Sequence, residues 1–526
     1  MKLLRLLSAA LSLGVALPSI LAQDKAPPTP KRDPNLAAEY YKIETIATPK
    51  GLSTECGGLA FMPDGRLVAC FHRGEVYTYE PTKKTWKLFA DGLHDPLGVV
   101  AVSNKEIVVM QRPELTRITD TDGDGVADQF DTVSDAFGMT GNYHEFAFGP
   151  LRAKDGSMFV ALNVASNGAG IRHEVRGKLS DLSGPDARMF SAVPWRGWVV
   201  RISPDGQLTP WASGFRSPNG LGFDADENLF VPDNQGDWIG SSPLYLVEKG
   251  KFYGHPASLT WKEGTTIPPI KMAPTDLAAM KTPASFVFPH SIMANSPTQP
   301  LLIKTGGKFG PFEGQMIIGE MNRARIIRLL FDKVDGQLQG ASVPLIDYGG
   351  LLKGNNRFAF ASDGSLWVGQ TDHGWAGDKG IQRISWTGKV PLDVTKMKLT
   401  KKGFDLTFTR PLDAAAAATP TSYKLKSYYY EYHQTYGSKQ FDLQEITVSA
   451  AELSKDRKTV SLELPELTAW RVYELHLDDL KAEDGAPVLN PLVCYTLNHL
   501  LENTPPPPPP GKDTPSSRKS PGALDE

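Results

Sequence analysis

Short apolar runs separated by tight polar turns recur along residues 51–388. In each unit, an apolar strand leads through a Pro-Asp-Gly or similar turn into a second apolar strand. Because one hairpin cannot bury its own faces, several must pack together radially. Six such units predict a six-bladed β-propeller, and a β-sandwich with incidental Asp-Gly turns is the alternative. The units begin at Gly57–Phe61, Leu97–Val102, Phe146–Phe148, Gly220–Phe223, a weaker Gly310–Gly319 and Phe358–Phe360.

Strict alternation of apolar and polar residues marks a second region, residues 391–502. It is clearest in Phe404–Phe408, Thr459–Leu464 and Val472–Leu477. This is the signature of half-buried strands, and it predicts a small antiparallel, immunoglobulin-like β-sandwich. The predicted fold class is therefore all-β. A tyrosine cluster in this region is interpreted as a sheet face or a contact between the two regions, with an aromatic sugar platform as the alternative; it comprises Tyr428, Tyr429, Tyr430, Tyr432 and Tyr436.

The two ends of the chain have different compositions from the body. Lys2 and Arg5 precede the apolar run Leu6–Leu17, and Pro18 interrupts that run before it could span a bilayer. We therefore expect a cleaved signal peptide, a secreted or periplasmic protein, and no transmembrane segment after cleavage. The predicted organisation is a signal peptide (1–22), a linker (23–50), the propeller (51–390), the sandwich (391–502) and a proline-rich disordered tail (503–526).

Composition excludes several classes of protein. The 526 residues carry 56 Lys+Arg and 59 Asp+Glu, a net charge of −3, which argues against a nucleic-acid partner. The 49 Gly and 42 Pro favour many short strands over long helices. Three cysteines cannot build a disulfide scaffold, and the sequence leaves open whether Cys56 and Cys70 pair. There is no Cys-x-x-Cys-His haem motif, no Gly-x-Ser-x-Gly elbow and no His-Glu-x-x-His helix.

One local motif follows the spacing of a calcium loop. Acidic side chains at alternate positions would converge on one hard cation, the glycine at position 6 permits the sharp turn, and a backbone carbonyl supplies a further ligand. We expect Ca²⁺ here as a structural ion; a solvated acidic hairpin tip is the alternative. The predicted ligands are Asp120, Asp122, Asp124, Val126, Asp128 and Asp131.

Polar residues also recur beside the predicted inner strands of the blades. In a propeller these positions meet at one central funnel, where such a concentration of charge is costly without a ligand. His144 lies just ahead of an apolar strand and is the candidate general base. The set comprises Glu55, His72, Arg73, His94, Asp95, Arg112, Asn142, His144, Glu145, Asn163, Arg216, Asn219, Asp233, Asn234, Gln235, Asp237, His290, Glu320, Asn322, Arg323, Asn356, Arg357, Asp372 and His373.

Several of these segments resemble one known family. Gly214–Phe223 is similar to the Gly-x-Arg-Asn-Pro-x-Gly-Leu motif of the glucose/sorbosone dehydrogenase family, and Asp233–Asp237 is similar to its Gln-Gly element. Lys251–Pro256 and His144–Pro150 resemble two further segments of that family. Residues 120–128, 217–237 and 307–315 resemble a subgroup of secreted bacterial proteins labelled membrane-bound dehydrogenase domain.

The resemblance implies a six-bladed quinoprotein that oxidises a sugar or a sugar-like alcohol. Pyrroloquinoline quinone (PQQ) would be held with Ca²⁺, and a cytochrome is a possible electron acceptor. His144 would act as base, assisted by Asn163 and Arg216; the cofactor-binding residues would be Arg216, Asn219, Gln235, Gly236, Asp237 and Arg357, with Gly236 and Asp237 offering carbonyls to the calcium. The chain departs from the family's pattern at Ser217, at Asn163 and at Asn356-Arg357. A non-redox propeller that binds glycans or a protein, and a calcium-dependent lactonase-like hydrolase, are the alternatives.

Overall fold

The computed structural model describes residues 36–168, 175–373 and 377–511. The predicted signal peptide, the first part of the predicted linker and the end of the predicted tail lie outside the described residues. Within these ranges, no helix is both long and apolar enough to cross a bilayer.

Six four-stranded antiparallel units form the blades of a propeller, which confirms the predicted fold class. The first strands of blades one and six contact each other, so the ring closes. The strands are β1 (Tyr41–Thr45); blade one, β2 (Cys56–Phe61), β3 (Leu67–Phe71), β4 (Val76–Glu80), β5 (Thr85–Ala90); blade two, β6 (Gly98–Ala101), β7 (Glu106–Met110), β8 (Leu115–Thr119), β9 (Gln129–Ser134); blade three, β10 (Ala147–Arg152), β11 (Met158–Leu162), the inserted ribbon β12 (Ala165–Ser166) and β13 (Met189–Phe190), β14 (Trp198–Ile202), β15 (Leu208–Ser213); blade four, β16 (Gly222–Phe223), β17 (Leu229–Pro232), β18 (Ser242–Leu246), β19 (Phe286–Phe288); blade five, β20 (Pro297–Leu302), β21 (Met316–Glu320), β22 (Arg325–Val334), β23 (Gln337–Asp347); and blade six, β24 (Asn355–Phe360), β25 (Leu366–Gln370), β26 (Gly380–Trp386).

The outer strand of blade six is β1, which comes from the N-terminal part of the chain. β1 pairs antiparallel with β26, with Ile43 opposite Ile384. Tyr41 is buried in the same apolar cluster. The polar composition that led us to predict a linker over residues 23–50 did not anticipate this strand, which joins the two ends of the propeller.

Close packing of neighbouring blades requires glycine on inner strands. A Cβ added to Gly98, the first residue of β6, would lie 1.8 Å from the carbonyl oxygen of Gly149 in blade three. No side chain fits at that distance, so backbone meets backbone directly between these blades. The glycine at the start of this inner strand therefore has a packing cause.

Blade five differs from its sequence prediction. The weak unit at Gly310–Gly319 contains only the end of one hairpin, because residues 310–315 form the connection that leads into β21. The first strand, β20, begins at Pro297 and contains Pro300, and its pairing with β21 shifts register between those prolines. Proline is rare inside strands, which explains why the hydrophobic pattern missed it.

The second region consists of two antiparallel sheets that share one apolar core. Phe404, Leu462, Tyr473 and Tyr495 belong to that core. One sheet has the order β27-β28-β32-β31; the other, β34-β33-β29-β30, continues blade five because β34 pairs with β23. The strands are β27 (Val394–Leu399), β28 (Gly403–Phe408), β29 (Lys424–Tyr429), β30 (Phe441–Ile446), β31 (Ala450–Leu453), β32 (Thr459–Glu463), β33 (Arg471–His476) and β34 (Leu492–Leu497). An immunoglobulin-like topology stays a prediction.

Helices are short among the described residues. The α-helices are α1 (Pro274–Met280) and α2 (Ala414–Ala417), and the 3₁₀ helices are Leu36–Glu39, Pro256–Trp261, Pro269–Lys271 and Pro420–Ser422. The three cysteines, Cys56, Cys70 and Cys494, are buried and free.

The first part of the proline-rich segment lies against the second region. The Trp470 Nε1–H donates to the carbonyl oxygen of Pro505 at 2.8 Å. The amide of Gly511 donates to the carbonyl oxygen of Tyr432 at 3.0 Å. Residues 505–511 therefore cross the tyrosine cluster predicted from the sequence.

Candidate functional site

His144 is held by both ring nitrogens at the start of blade three. Its Nδ1 lies 2.7 Å from the carbonyl oxygen of Val164, and its Nε2 lies 3.0 Å from the hydroxyl oxygen of Ser217. A carbonyl only accepts, so Nδ1 carries the proton and the lone pair of Nε2 faces the hydroxyl. Burial, reinforced by the nearby Arg216 guanidinium, lowers the pKa of His144 to about 4. The imidazole is therefore neutral at pH 7.

Asp233 fixes the turn that presents Ser217. This fully buried carboxylate accepts the backbone amides of Arg216 and Ser217, each at 2.7 Å, and that of Asn234 at 2.8 Å. Burial raises the pKa of Asp233. The Asn163 side chain donates weakly to the Ser217 hydroxyl, at 3.5 Å. Asn163 therefore contacts His144 through Ser217.

A buried ion pair lies next to the imidazole. The Nε of Arg216 donates to Oδ1 of Asp237 at 2.8 Å, and the His255 Nε2 lies 3.2 Å from Oδ2. Burial disfavours the carboxylate, but Arg216 and then His255 outweigh it and hold the pKa of Asp237 below its usual range. Gly236 is needed here for space, because a Cβ would lie 2.1 Å from the Arg216 Nε.

A loop from the second region covers this part of blade four. We call Glu431–Ser438 the capping loop. The Trp238 amide donates to the carbonyl of His433 at 3.0 Å, and the Ser438 amide donates to the carbonyl of Gly240 at 2.8 Å. The Arg216 guanidinium lies over the ring of Tyr436, with its Cζ 5.4 Å from the ring centroid.

The capping loop changes two of the cofactor contacts predicted from the sequence. The carbonyl of Gly236 accepts the amides of Gly437 at 2.9 Å and Ile239 at 3.1 Å. Both lone pairs are used, so this oxygen is not available to calcium. The side-chain Nε2 of Gln235 donates to the carbonyl oxygen of Gly240 at 3.1 Å, and this side chain packs against Gly437. Sequence reasoning could not foresee a loop that arrives from about 200 residues further along the chain.

Arg357 and Asn219 bond to each other rather than to the His144 group. The Arg357 Nη1 donates to the Asn219 Oδ1 at 3.1 Å, and its Nε donates to the carbonyl of Gly57 at 3.0 Å. The buried guanidinium also bonds the carbonyl of Leu97 and both oxygens of Asn356. Arg357 therefore joins the inner strands of blades one, two and six, and its role as a cofactor ligand stays a prediction.

The acidic loop between β8 and β9 gathers only part of its predicted ligands. Carboxylate oxygens of Asp120, Asp122 and Asp124 lie within 4.8 Å of one another. Asp128 instead accepts from the amide and hydroxyl of Thr121. The remaining predicted acid, Asp131, is placed on strand β9 and accepts from Gln129, while Val126 is exposed.

The sequence missed two residues at this site. Arg188, in the insertion between β11 and β14, lies 3.8 Å from the Asp237 carboxylate, with its guanidinium over Tyr436. His255 contacts Asp237 from the other side. Neither residue belongs to a blade repeat, so no periodicity could have pointed to it. The tyrosine cluster is interpreted above as a sheet face or a contact between the two regions; Tyr436 and Tyr432 make such a contact, with Arg216 and with the Gly254 carbonyl.

Comparison with known proteins finds a family model that matches part of the chain. Residues 82–281 match a domain of unknown function, DUF7133. No curated protein matches the chain.

Several solved structures are similar to the chain, at low identity. An oxidoreductase from Thermus thermophilus described as a glucose dehydrogenase is 16% identical, covering 65% of this chain and 99% of that one, with a TM-score of 0.46. A PQQ-bound aldose sugar dehydrogenase from Streptomyces coelicolor is 16% identical, covering 66% and 98%, with a TM-score of 0.44. The PQQ domain of a Coprinopsis cinerea pyranose dehydrogenase is 11% identical, covering 66% and 95%, with a TM-score of 0.43. The family that the sequence motifs resemble is thus represented among these structures, but at such identities and TM-scores they assign no activity, substrate or cofactor to this chain.

Proposed function

We propose that this protein is a secreted oxidoreductase that oxidises a sugar or a sugar-like alcohol, with a quinone of the PQQ type as hydride acceptor. The observation that carries the proposal is the neutral His144, whose Nε2 lone pair faces a hydroxyl group at 3.0 Å. Ser217 occupies the position that a substrate hydroxyl would take, at hydrogen-bond distance from the base.

His144 is arranged to accept a proton and to hold its orientation while doing so. The Val164 carbonyl fixes the tautomer and the ring plane. When Nε2 takes the hydroxyl proton, the imidazolium keeps its Nδ1–H bond to this carbonyl. The pKa of about 4 is low for a base at neutral pH, and Arg216 is, after burial, the main cause. An anion bound beside Arg216 would offset that charge and make His144 more basic.

The side chains present fit the anionic part of such a quinone. Arg216 and Arg188 both approach the Asp237 carboxylate, so two guanidinium groups share one carboxylate beside His144. A quinone held here would supply the acceptor for the hydride from the carbon bearing the hydroxyl group. The predicted calcium contact through Gly236 does not fit, because both lone pairs of that carbonyl are taken.

A specific observation favours a second candidate, a calcium-dependent lactonase-like hydrolase. Among the described residues, the buried side-chain oxygens Oδ1 of Asn163 and Oδ1 of Asn234 accept no hydrogen bond. Both amides flank Ser217, since Asn163 donates to its hydroxyl and Asn234 to its carbonyl. Uncharged oxygen ligands of this kind suit Ca²⁺. In this role the cation would lie between the asparagines and His144 would activate a water molecule.

Reconstitution separates these functions. The purified full chain is mixed with PQQ and Ca²⁺, and dye reduction is followed with a panel of aldoses and sugar alcohols. The same preparation without quinone is assayed for hydrolysis of aldonolactones. Quinone-dependent dye reduction supports the oxidoreductase; lactone hydrolysis alone replaces it with the hydrolase. Absence of both activities, together with saturable glycan or protein binding, would leave the non-redox binding protein.

Matched variants assign the base. His144→Gln keeps a neutral side chain of similar reach and is expected to abolish turnover while quinone titration is retained. His476→Gln, on β33 in the second region, is the control and is expected to be fully active. Unaltered turnover in His144→Gln would exclude His144 as the base. The predicted location is checked separately, by N-terminal sequencing of protein recovered from the periplasm or the medium; a cytochrome acceptor is tested by its reduction in place of the dye.

A further inference from the structure

A second group of titratable side chains lies where blades one, two and six meet, apart from the contacts of His144. The Nδ1 of His72 lies 2.8 Å from Oδ1 of Asp95, and the Nε2 of His373 lies 3.8 Å from the same oxygen. The two imidazole rings are stacked, with centroids 4.0 Å apart. One ligand atom from each of the three residues falls within 4.8 Å of the other two.

The 3.8 Å between the His373 Nε2 and the Asp95 Oδ1 is a spacing that two ligands of one metal ion can have. The 2.8 Å between His72 and Asp95 is a hydrogen bond that a bound ion would replace, with the two stacked rings turning towards it. Ligands at about 2.0–2.2 Å from a metal lie roughly 3 to 4.3 Å from one another, depending on the angle between them. Two imidazoles and one carboxylate form the ligand set that binds divalent transition metals and leaves coordination positions open. Segments of blades one, two and six supply the three residues, so the set does not depend on a single acidic loop.

The surroundings of the group resemble the outer shell of a metal site. The Nδ1 of His373 lies 3.4 Å from the Glu55 carboxylate, which directs Nε2 towards Asp95. Carboxylates that orient a ligating imidazole in this way are usual in metal sites. The side chain of His72 is only 4% exposed, yet its Nε2 is without a hydrogen-bond partner in the described part of the chain. An unpaired buried nitrogen is costly, and an ion bound by this imidazole would offset that cost.

Two cations adjoin the group and limit its charge. Lys379 pairs with Glu55 at 2.9 Å, and the Nε of Arg112 lies 3.8 Å from the second oxygen of Asp95. Lys379 neutralises the Glu55 carboxylate, and Arg112 lies beside Oδ2 of Asp95. The Oδ1 of Asp95, which faces the two histidines, remains available to an ion. The ligand set is then nitrogen-rich, with one anionic oxygen, which selects zinc-like ions over calcium.

We propose that His72, Asp95 and His373 form a binding site for a divalent transition metal ion of the zinc type, with Glu55 orienting His373. His373 is partly exposed, so the ion would be reached from the funnel. Phe146 lies between this group and His144, with ring centroids 6.3 Å from His373 and 6.2 Å from His144. A ligand that spans Phe146 would contact both the ion and the base.

The test measures metal uptake by the full chain, independently of any enzyme activity. Protein stripped with a chelator is titrated with Zn²⁺ by calorimetry and with Co²⁺ by visible absorption. We expect one equivalent of ion and a d–d spectrum of low-coordinate Co²⁺ with nitrogen ligands. His373→Gln, at a partly exposed position that tolerates change, and His72→Gln should each abolish this binding. Glu55→Gln should weaken it by about 10–100-fold, and His476→Gln should leave it unchanged.

The outcomes that would overturn the proposed metal site can be distinguished from the misfolding of a variant. Uptake that is absent in the wild type, or that persists in both histidine variants, rules the site out. Circular dichroism and thermal unfolding establish whether each variant is folded, and His373→Gln provides a valid answer if His72→Gln is not. Calcium in excess is included as a competitor. Displacement of Co²⁺ by Ca²⁺ would show an oxygen site instead and would reject these ligands.

Discussion

The ionisation of His144 gives the most direct test of the site geometry. A histidine with an ordinary pKa of 6.5 is almost fully protonated at pH 5, whereas one with a pKa of about 4 is only about one-tenth protonated. The unfolded chain therefore binds a proton at pH 5 that the native state does not. Folding stability must fall as the pH drops below 6.5, and the loss continues until the pH reaches the native pKa.

The magnitude follows from the same two pKa values. Between pH 7 and pH 5 these two pKa values give a linkage of about 2 kcal/mol at most. Because the His144 side chain is only half-buried, solvent reduces this figure. His144→Gln removes this single titration and leaves every other acid-sensitive group in place. The wild type should thus lose up to about 2 kcal/mol more than His144→Gln over this interval, as measured by urea unfolding at both pH values.

The pKa of His144 can also be measured directly by NMR titration. This measurement does not require that the chain unfold in two states. The chain has ten histidines, and ¹³Cε1-histidine labelling with His144→Gln as the assignment variant identifies the resonance of His144. We expect no change in its shift down to about pH 5. A midpoint above pH 6 would refute the reasoning, because the imidazole could not then be enclosed beside Arg216 as described.

Three further outcomes follow from contacts elsewhere in the chain. Ca²⁺ is expected to raise the melting temperature, and Asp122→Ala combined with Asp124→Ala should remove that rise; a melting curve unaffected by Ca²⁺ would reject the predicted calcium loop. Arg216→Gln should destabilise the fold by up to about 3–5 kcal/mol, because the buried Asp237 carboxylate then keeps only His255 at 3.2 Å and Arg188 at 3.8 Å. Adding Asp237→Asn should restore part of that loss, and an equal or larger loss in the double variant would contradict the pairing. Gly98→Ala should lower the melting temperature sharply because its Cβ would overlap a carbonyl oxygen of the next blade; an unchanged melting temperature would mean that the blades can separate.

The features that the sequence predicted are those encoded locally. Paired apolar strands surround Asp-Gly turns in blades one, three and six and other polar turns in blades two and four, and the alternation at Phe404–Phe408 marks β28. These patterns depend on neighbours within a few residues, so the chain itself carries them. The prolines of β20 broke the pattern, and the strand at Tyr41–Thr45 was too short and too polar to be recognised without its partner.

The candidate site was predicted only in part because it depends on distant contacts. His144, Asn163, Arg216 and Asp237 do come together, since the ends of inner strands meet in any propeller. The environment of Gly236 could not be predicted, because its carbonyl is occupied by the amide of Gly437 from the other region. A motif specifies which atoms are available in its own segment, but not which distant segment bonds them first.

The second region is part of the site rather than an appendage. It is joined to the propeller by backbone pairing of β34 with β23, and the Tyr432 hydroxyl donates to the carbonyl of Gly254 at 2.6 Å. These attachments fix the capping loop on both sides of Tyr436, so the ring cannot leave Arg216 without breaking contacts with blade four. The ligand that reaches Arg216 must therefore either fit beside this ring or displace the loop. For that reason the activity of an isolated propeller would not report on the activity of the whole chain.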